Sequence, residues 1–259
     1  MTVHMNRSLA VLACTLVHAI PALAQQPAGR PEDTEIWTPV PPIVTVGQTN
    51  AAPPSDAIVL FGGRHLNEWV TAADTTKPAM WTVRNGVATV TKAGGDIQTR
   101  RRFTSYQIHL EWRVPVEVSG SGQRRGNSGL YLGATPDGGY ELQVLDSYRN
   151  TTYVNGQAAS VYKQHIPLAN AMRKPGEWQV YDVVWTAPAF NADGTLRSPA
   201  YITAFHNGVL VQHHVPLAGD TKYIGAPSYR AHGALPIRLQ SHGDPGPQVS
   251  YRNIWLRPL

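Results

Sequence analysis

Between residues 106 and 114 the chain alternates without a break: Tyr106, Ile108, Leu110, Trp112 and Val114 are apolar, while Gln107, His109, Glu111 and Arg113 are polar. A period of two marks a β-strand with one face on a core, because successive side chains leave a pleated strand on opposite sides. Two further pairs of short apolar runs, Trp81–Val83 with Val87–Val90 and Tyr201–Phe205 with Val209–Val215, are joined by Asn85-Gly86 and Asn207-Gly208. Asn-Gly accepts the positive φ angles of a type I′ turn, so each pair is expected to form a β-hairpin. Runs at 129–132, 140–145, 178–185, 235–240 and 249–256 extend the series. No long helical period competes, and no fixed-period repeat points to a propeller. The pattern predicts an all-β fold, a two-sheet antiparallel jelly-roll sandwich.

Composition supports that reading: 23 Gly and 21 Pro supply turns, and 7 Trp with 11 Tyr suit pleated, half-buried or ligand-facing surfaces. Arg7, the apolar run Leu9–Ile20 and the small-residue site Ala22-Leu23-Ala24 make residues 1–24 an expected secretory signal, hence a secreted, periplasmic or extracellular protein. The only cysteine, Cys14, lies inside that run, so no disulfide or thiol chemistry is expected after cleavage; Leu12-Ala13-Cys14 leaves a lipoprotein form open. Residues 25–55 carry Pro39, Pro41, Pro42, Pro53 and Pro54 and are expected to be a Pro-rich tether or extended arm ahead of a domain at 56–259. Nothing downstream of the signal approaches the roughly 20 apolar residues of a membrane span. The net charge of +5 and the runs Arg100-Arg101-Arg102 and Arg124-Arg125 come without a nucleic-acid motif, so no nucleic-acid partner is expected. Oligomeric state stays open.

In Tyr140-Glu141-Leu142-Gln143-Val144-Leu145-Asp146, alternation places Glu141 and Gln143 on one face. Strict alternation turns Asp146 away from them, whereas a bulge after Gln143 returns it to the same face. Carboxyl and amide groups in such a row suit sugar hydroxyls and acid/base work; an ordinary polar strand face reads equally well. Asn127 precedes this strand in Gly126-Asn127-Ser128-Gly129, and Lys163 and His165 follow it. An ammonium group can stabilise an oxyanion, and an imidazole can move a proton near neutral pH. In Arg238-Leu239-Gln240-Ser241-His242-Gly243, alternation puts Arg238, Gln240 and His242 together. No zinc spacing, serine-nucleophile elbow, dinucleotide loop or P-loop occurs.

Taken in order, Ile58 to Gly63, Asn127-Ser128-Gly129, Tyr140 to Asp146, Pro175-Gly176-Glu177-Trp178, Asn207-Gly208, Leu239 to Gly243 and Arg252-Asn253-Ile254 resemble the bacterial 3-keto-disaccharide hydrolase family, from about residue 57 to 259. The resemblance implies a concanavalin A-like fold shared with lectins and laminarinase-type glucanases. In those glucanases an E-x-D-x-x-E strand carries the catalytic carboxylates. Glu141-x-Gln143-x-x-Asp146 looks like a variant with an amide at its centre, which departs from a retaining mechanism with two carboxyl groups about 5 Å apart.

The chemistry implied is an exported lyase-type hydrolase of 3-keto-glycosides, with a small carbohydrate as substrate. A base removes the C2 proton, the C1 substituent leaves, and water adds to the enone. On this reading Glu141 or His165 is the base, Asp146 the acid or an orienting group, and Lys163 or Arg238 the enolate stabiliser. Gln143, Asn127, Gln240 and His242 bind the sugar. Phe61-Gly62-Gly63 and Gln240-Ser241-His242 lack aspartates common in the family, which bears on whether a divalent cation such as calcium is bound; no other cofactor is implied. The alternative is a noncatalytic carbohydrate-binding module of the same fold.

Overall fold

The computed structural model describes residues 29–259. The expected signal at 1–24 and Cys14 lie outside them. These residues divide into two units, with the boundary after Ile43. The described part of the first, 29–43, holds one 3-10 turn, Pro31–Thr34. The second, 44–259, carries every strand among the described residues.

The strands are β1 Ile58–Phe61, β2 Trp69–Thr71, β3 Thr82–Arg84, β4 Val87–Thr89, β5 Ile97–Thr99, β6 Tyr106–Arg113, β7 Ser128–Thr135 and β8 Gly138–Val144, then β9 Gln179–Thr186, β10 Ala189–Phe190, β11 Leu196–Ser198, β12 Tyr201–His206, β13 Val209–Pro216, β14 Arg238–Leu239 and β15 Ser250–Pro258. An eight-stranded sheet runs β13-β12-β9-β6-β15-β4-β3 with β1 also on β15, and a five-stranded sheet runs β2-β5-β14-β7-β8. The pairings of both sheets are antiparallel, so the all-β sandwich expected from the alternation is what forms. Both Asn-Gly pairs sit at hairpin turns with positive φ, 51° and 80° at Asn85-Gly86 and 52° and 81° at Asn207-Gly208.

Ile108, Leu110, Trp112, Tyr181, Val183 and Trp185 of the large sheet and Leu130, Leu142, Leu239 and Ile97 of the small one are all at most 2% exposed and form one core cluster. Interdigitated inner faces of this kind are what hold a sandwich together. The segment expected as one strand over 235–240 is regular only at Arg238–Leu239. Pro236 has no N–H to give a ladder, and the chain is instead tied by Phe103 N to Leu235 O at 2.8 Å and Ile237 N to Thr99 Oγ1 at 3.0 Å.

The polar face of β6 is covered. His109 and Glu111 are 1% and 7% exposed. His109 Nδ1 meets Asp182 Oδ1 at 2.7 Å, while Glu111 accepts from Arg252 Nε at 2.6 Å and from Asn253 Nδ2 at 3.0 Å. Burial alone would push His109 down, yet its bonds to Asp182 and Glu111 raise it to about 9, so this network keeps its charges across neutral pH. Asn253 Nδ2 and Trp255 Nε1 also donate to Ala51 O at 2.7 and 2.9 Å, fastening residues of the expected tether to this face.

Candidate active site

The five-stranded sheet presents one register row of Gln98, Arg238, Tyr131 and Glu141 on its outer face, each directly opposite the next. The adjoining row, Ile97, Leu239, Leu130 and Leu142, faces the core. Residues opposite one another in a sheet share a face, so the register alone gathers these polar side chains. Above them lies a cleft of about 300 Å³ lined by Tyr131, Glu141, Gln143, Tyr162, Gln240 and His242, with Asn127, Asp137, Thr221 and Tyr223 at its sides.

Glu141 is held from both sides. Although β8 is the edge of its sheet, its free rim is capped: Tyr162 N donates to Glu141 O at 3.2 Å, Gln143 N to Ser160 O at 2.9 Å, and Thr221 Oγ1 accepts from Glu141 N at 3.2 Å. Covered edges fix register and resist further pairing. The Glu141 side chain lies across Gly129, where a Cβ would meet Glu141 Oε1 at 2.6 Å and the Tyr131 ring at 3.1 Å. Gly129→Ala is therefore expected to push the carboxyl off the sheet and lower kcat/KM at least tenfold on any substrate that Glu141 serves, leaving the circular dichroism spectrum unchanged. Steady-state kinetics beside that spectrum checks it.

Burial, and then the charge of Asp96, raise Glu141 to about 8 against the opposing hydrogen bond from Tyr131. The Tyr131 phenol is itself raised, first by burial and then by Glu141 and Asp96, and stays protonated. Asp96 is likewise raised by burial, although its carboxylate accepts from Ser241 N at 2.8 Å. A carboxyl tuned toward neutrality inside a polar cleft is equipped to take or give a proton.

His242 also lines the cleft, and its Nδ1 is 2.6 Å from Oδ1 of Asp244. Asp244 is 6% exposed, and its other oxygen accepts from Asn127 N at 2.7 Å. A carboxylate fixed on Nδ1 sets the tautomer and leaves Nε2 for a ligand. Gln143 Nε2 donates to Gln123 Oε1 at 2.9 Å, Asn127 Nδ2 to Gln123 O at 2.7 Å, and Gln240 Nε2 to Tyr131 Oη at 3.3 Å.

Five of the residues singled out in the sequence thus line one cleft: Asn127, Glu141, Gln143, Gln240 and His242. Arg238 lies in the floor beside them, its guanidinium 5.8 Å from the Tyr131 ring centroid and its Nη2 donating to Thr135 O at 2.9 Å. Lys163 reaches only the rim, where Nζ donates to Tyr223 O at 2.6 Å and sits 4.4 Å from that ring's centroid. His165 lies elsewhere. Its Nε2 is 2.7 Å from Pro216 O, and it lines a larger, more open groove of about 690 Å³ with Val154, Ile166 and Leu168. That groove is bigger than the cleft, but it contains no buried carboxyl. Asp146 follows the end of β8, is fully buried, and bonds Arg125 Nε at 2.7 Å rather than facing the cleft.

Tyr131, Asp96 and Asp244 were not singled out. Alternation across Gly129-Leu130-Tyr131 would have given Tyr131, and the two-residue spacing of His242 and Asp244 was a legible acid–imidazole pair. Asp96 carries no local signal, since only the fold brings it near Ser241. Among the described residues no group of three or more His, Cys, Asp or Glu side chains could hold a metal ion, and no helix is long and apolar enough to cross a membrane.

Residues 56–257 match the 3-keto-alpha-glucoside-1,2-lyase-like domain. A solved structure from Parabacteroides distasonis, described as a candidate glycosyl hydrolase, is 51% identical, with 89% of this chain and 97% of that chain covered at a TM-score of 0.83. Two others of the same description and organism share 19% identity each, at TM-scores of 0.59 and 0.53, over 79% and 78% of this chain and 94% and 99% of theirs, and show the same fold. No curated protein matches the chain.

Proposed function

Because the chain belongs to the 3-keto-alpha-glucoside-1,2-lyase-like family, we propose that it cleaves 3-keto-glycosides by elimination followed by hydration. The observation that carries this reading is Glu141, a buried carboxyl raised to about 8 in a polar cleft that His242, bonded to Asp244, also lines.

A carbonyl at C3 acidifies the hydrogen on C2. Glu141, in its ionised form, takes that proton; the electron pair forms the C1–C2 double bond, and the C1–O bond breaks toward the departing oxygen. His242, entering this step as the imidazolium with its Nδ1–H on Asp244, gives this oxygen the proton on Nε2 and is left neutral. Water then adds across the double bond, its oxygen to C1 and its hydrogen to C2, and releases the 3-keto-sugar. Gln143, Gln240 and Asn127 hold the ring hydroxyls and the C3 oxygen. Their amide N–H groups offset the charge that develops on that oxygen. Lys163 adds positive potential at the rim. No step needs a second carboxylate as nucleophile, in keeping with the amide at Gln143.

Incubation with 3-keto-trehalose and with trehalose tests the reading. Release of glucose and 3-keto-glucose from the oxidised sugar alone is expected. With Glu141 as base, the rising limb of kcat/KM against pH is centred near 8, the value to which burial brings its carboxyl. A rate that falls through the same pH makes Glu141 the acid instead. Binding of both sugars with release from neither makes this a binding module.

A further inference from the structure

Gln123 does not line the Glu141 cleft, yet two of the amides that do are tied to it. It stands in the 3-10 turn Gly122–Arg124, which Asn150 clamps: Gly122 N donates to Asn150 Oδ1 at 2.8 Å, and Asn150 Nδ2 donates to Gly122 O at 3.0 Å. From this turn Gln123 Oε1 accepts from Gln143 Nε2 at 2.9 Å, and Gln123 O accepts from Asn127 Nδ2 at 2.7 Å. Its Nε2 donates to Gly156 O at 2.8 Å and to Thr152 Oγ1 at 2.9 Å. The fit at Gly156 is close, since a Cβ there would meet Gln123 Nε2 at 2.9 Å.

The two ends of a side-chain amide have nearly the same shape, so which end it presents is decided by partners of a single polarity. The Gln123–Gln143 pair has such a partner at each end. Gly156 O can only accept, which sets Gln123 Nε2 against it and turns Oε1 to Gln143. Val144 N can only donate, and it gives its hydrogen to Gln143 Oε1 at 3.1 Å. Turning Gln123 end for end would set two acceptors together at Gly156, and turning Gln143 would set two donors together at Val144. Gln143 Oε1 is therefore occupied and one N–H is committed to Gln123. The second N–H is what Gln143 has left to offer in the cleft it lines. An N–H suits an oxygen that gains negative charge, whereas an amide oxygen in its place would oppose that charge.

We propose that Gln123 is a positioning residue, which holds Gln143 as a hydrogen-bond donor toward the C3 oxygen of the sugar. Its effect on rate rests on the elimination reading of the cleft, but the orientation it imposes on the amide does not. The Gln123 side chain acts through Gln143 and not through Asn127, because Asn127 is held by the backbone oxygen of Gln123 and keeps that bond whatever the side chain.

Steady-state kinetics on 3-keto-trehalose, with Gln123→Ala made in the full chain both alone and beside Gln143→Leu, tests the role. Alone, the substitution is expected to lower kcat by about tenfold or more and to change KM by less than about twofold, since the orientation acts on charge that develops after binding. Beside Gln143→Leu it is expected to change kcat by less than about twofold. A residue that served the fold alone would cost the same factor in both backgrounds. Equal factors, a change confined to KM, or an unchanged kcat overturns the proposal. Gln123→Met, which fills the space without an acceptor for Gln143, takes the place of alanine if that variant does not fold. The side-chain amide protons of Gln143 give a reading that needs no turnover. Identified in magnetic resonance spectra by their loss in Gln143→Leu, they are expected to exchange with solvent about tenfold faster or more in Gln123→Ala than in the parent. Unchanged exchange overturns the positioning role. Faster exchange in a chain that cleaves no keto-sugar leaves the orientation standing and overturns the elimination chemistry alone.

Discussion

Glu141→Gln is expected to lower kcat on a 3-keto-glucoside by about a thousandfold, the range over which a positioned acid or base contributes, and at the same time to make the protein more stable in alkaline buffer. The amide keeps the volume of the carboxyl and its place across Gly129, but it cannot accept the C2 proton. The stability change follows from the raised carboxyl. Unfolded, Glu141 ionises near the ordinary 4.5; folded, near 8. Below 4.5 both states are protonated, and the burial of a neutral carboxyl costs the same at every pH. Between the two values the native state binds a proton that the unfolded state does not, so stability falls as pH rises and levels off above about 8. The penalty at the plateau is on the order of 5 kcal/mol, and the substituted amide, which never ionises, does not carry it. Thermal melts at pH 5 and pH 9 check this: the variant should gain several degrees over the parent at pH 9 and little at pH 5. Equal melting temperatures at pH 9 would contradict the burial of an ionisable carboxyl, and full activity would remove Glu141 from the reaction.

The second large effect is on folding. Arg125→Ala is expected to cost about 3–5 kcal/mol in denaturant-monitored unfolding, because Asp146 is fully buried and its Oδ2 has Arg125 Nε at 2.7 Å. The other oxygen keeps its bond from Tyr148 N at 3.0 Å, so the charge is only half satisfied once the guanidinium is gone. Replacing both partners, Arg125→Leu with Asp146→Asn, should recover most of the loss, since no buried charge is then left alone. The folded fraction of Arg125→Ala should retain kcat, because the pair stands outside the Glu141 cleft. A loss below about 1 kcal/mol would mean that water reaches the carboxylate.

These two carboxyls mark what could be read in the sequence and what could not. Glu141 was legible because alternation over Tyr140 to Val144 needs only neighbours, and β6 and the two Asn-Gly hairpins were legible for the same reason. Asp146 stands where the strand ends. Its orientation depends on Arg125, 21 residues earlier, and no period reports a partner at that distance. The short strands β2, β5, β10 and β11 have two or three residues each, too few to show a period, and they pair only with one another or with two-residue β14, partners that the fold alone brings together. The partners of Glu141 were hidden likewise. Tyr131 becomes its neighbour only through the β7–β8 register, and Asp96 only because Ser241 N reaches its carboxylate. His109 and Glu111 alternated as solvent-facing residues should, yet Arg252, Asn253 and residues of the expected tether cover them.

The place of β15 has a consequence for the order of events during synthesis. It lies inside the eight-stranded sheet and pairs with β1, β4 and β6, so strands made first wait for one made nearly two hundred residues later. Until then β1 has no partner in its sheet, and the apolar faces of β4 and β6 lack the neighbour that shields them. Closing loops of that length is slow. A nascent chain therefore stays an open half-sandwich until β15 emerges, and anything that delays that segment prolongs its exposure to chaperones and proteases rather than weakening the folded protein.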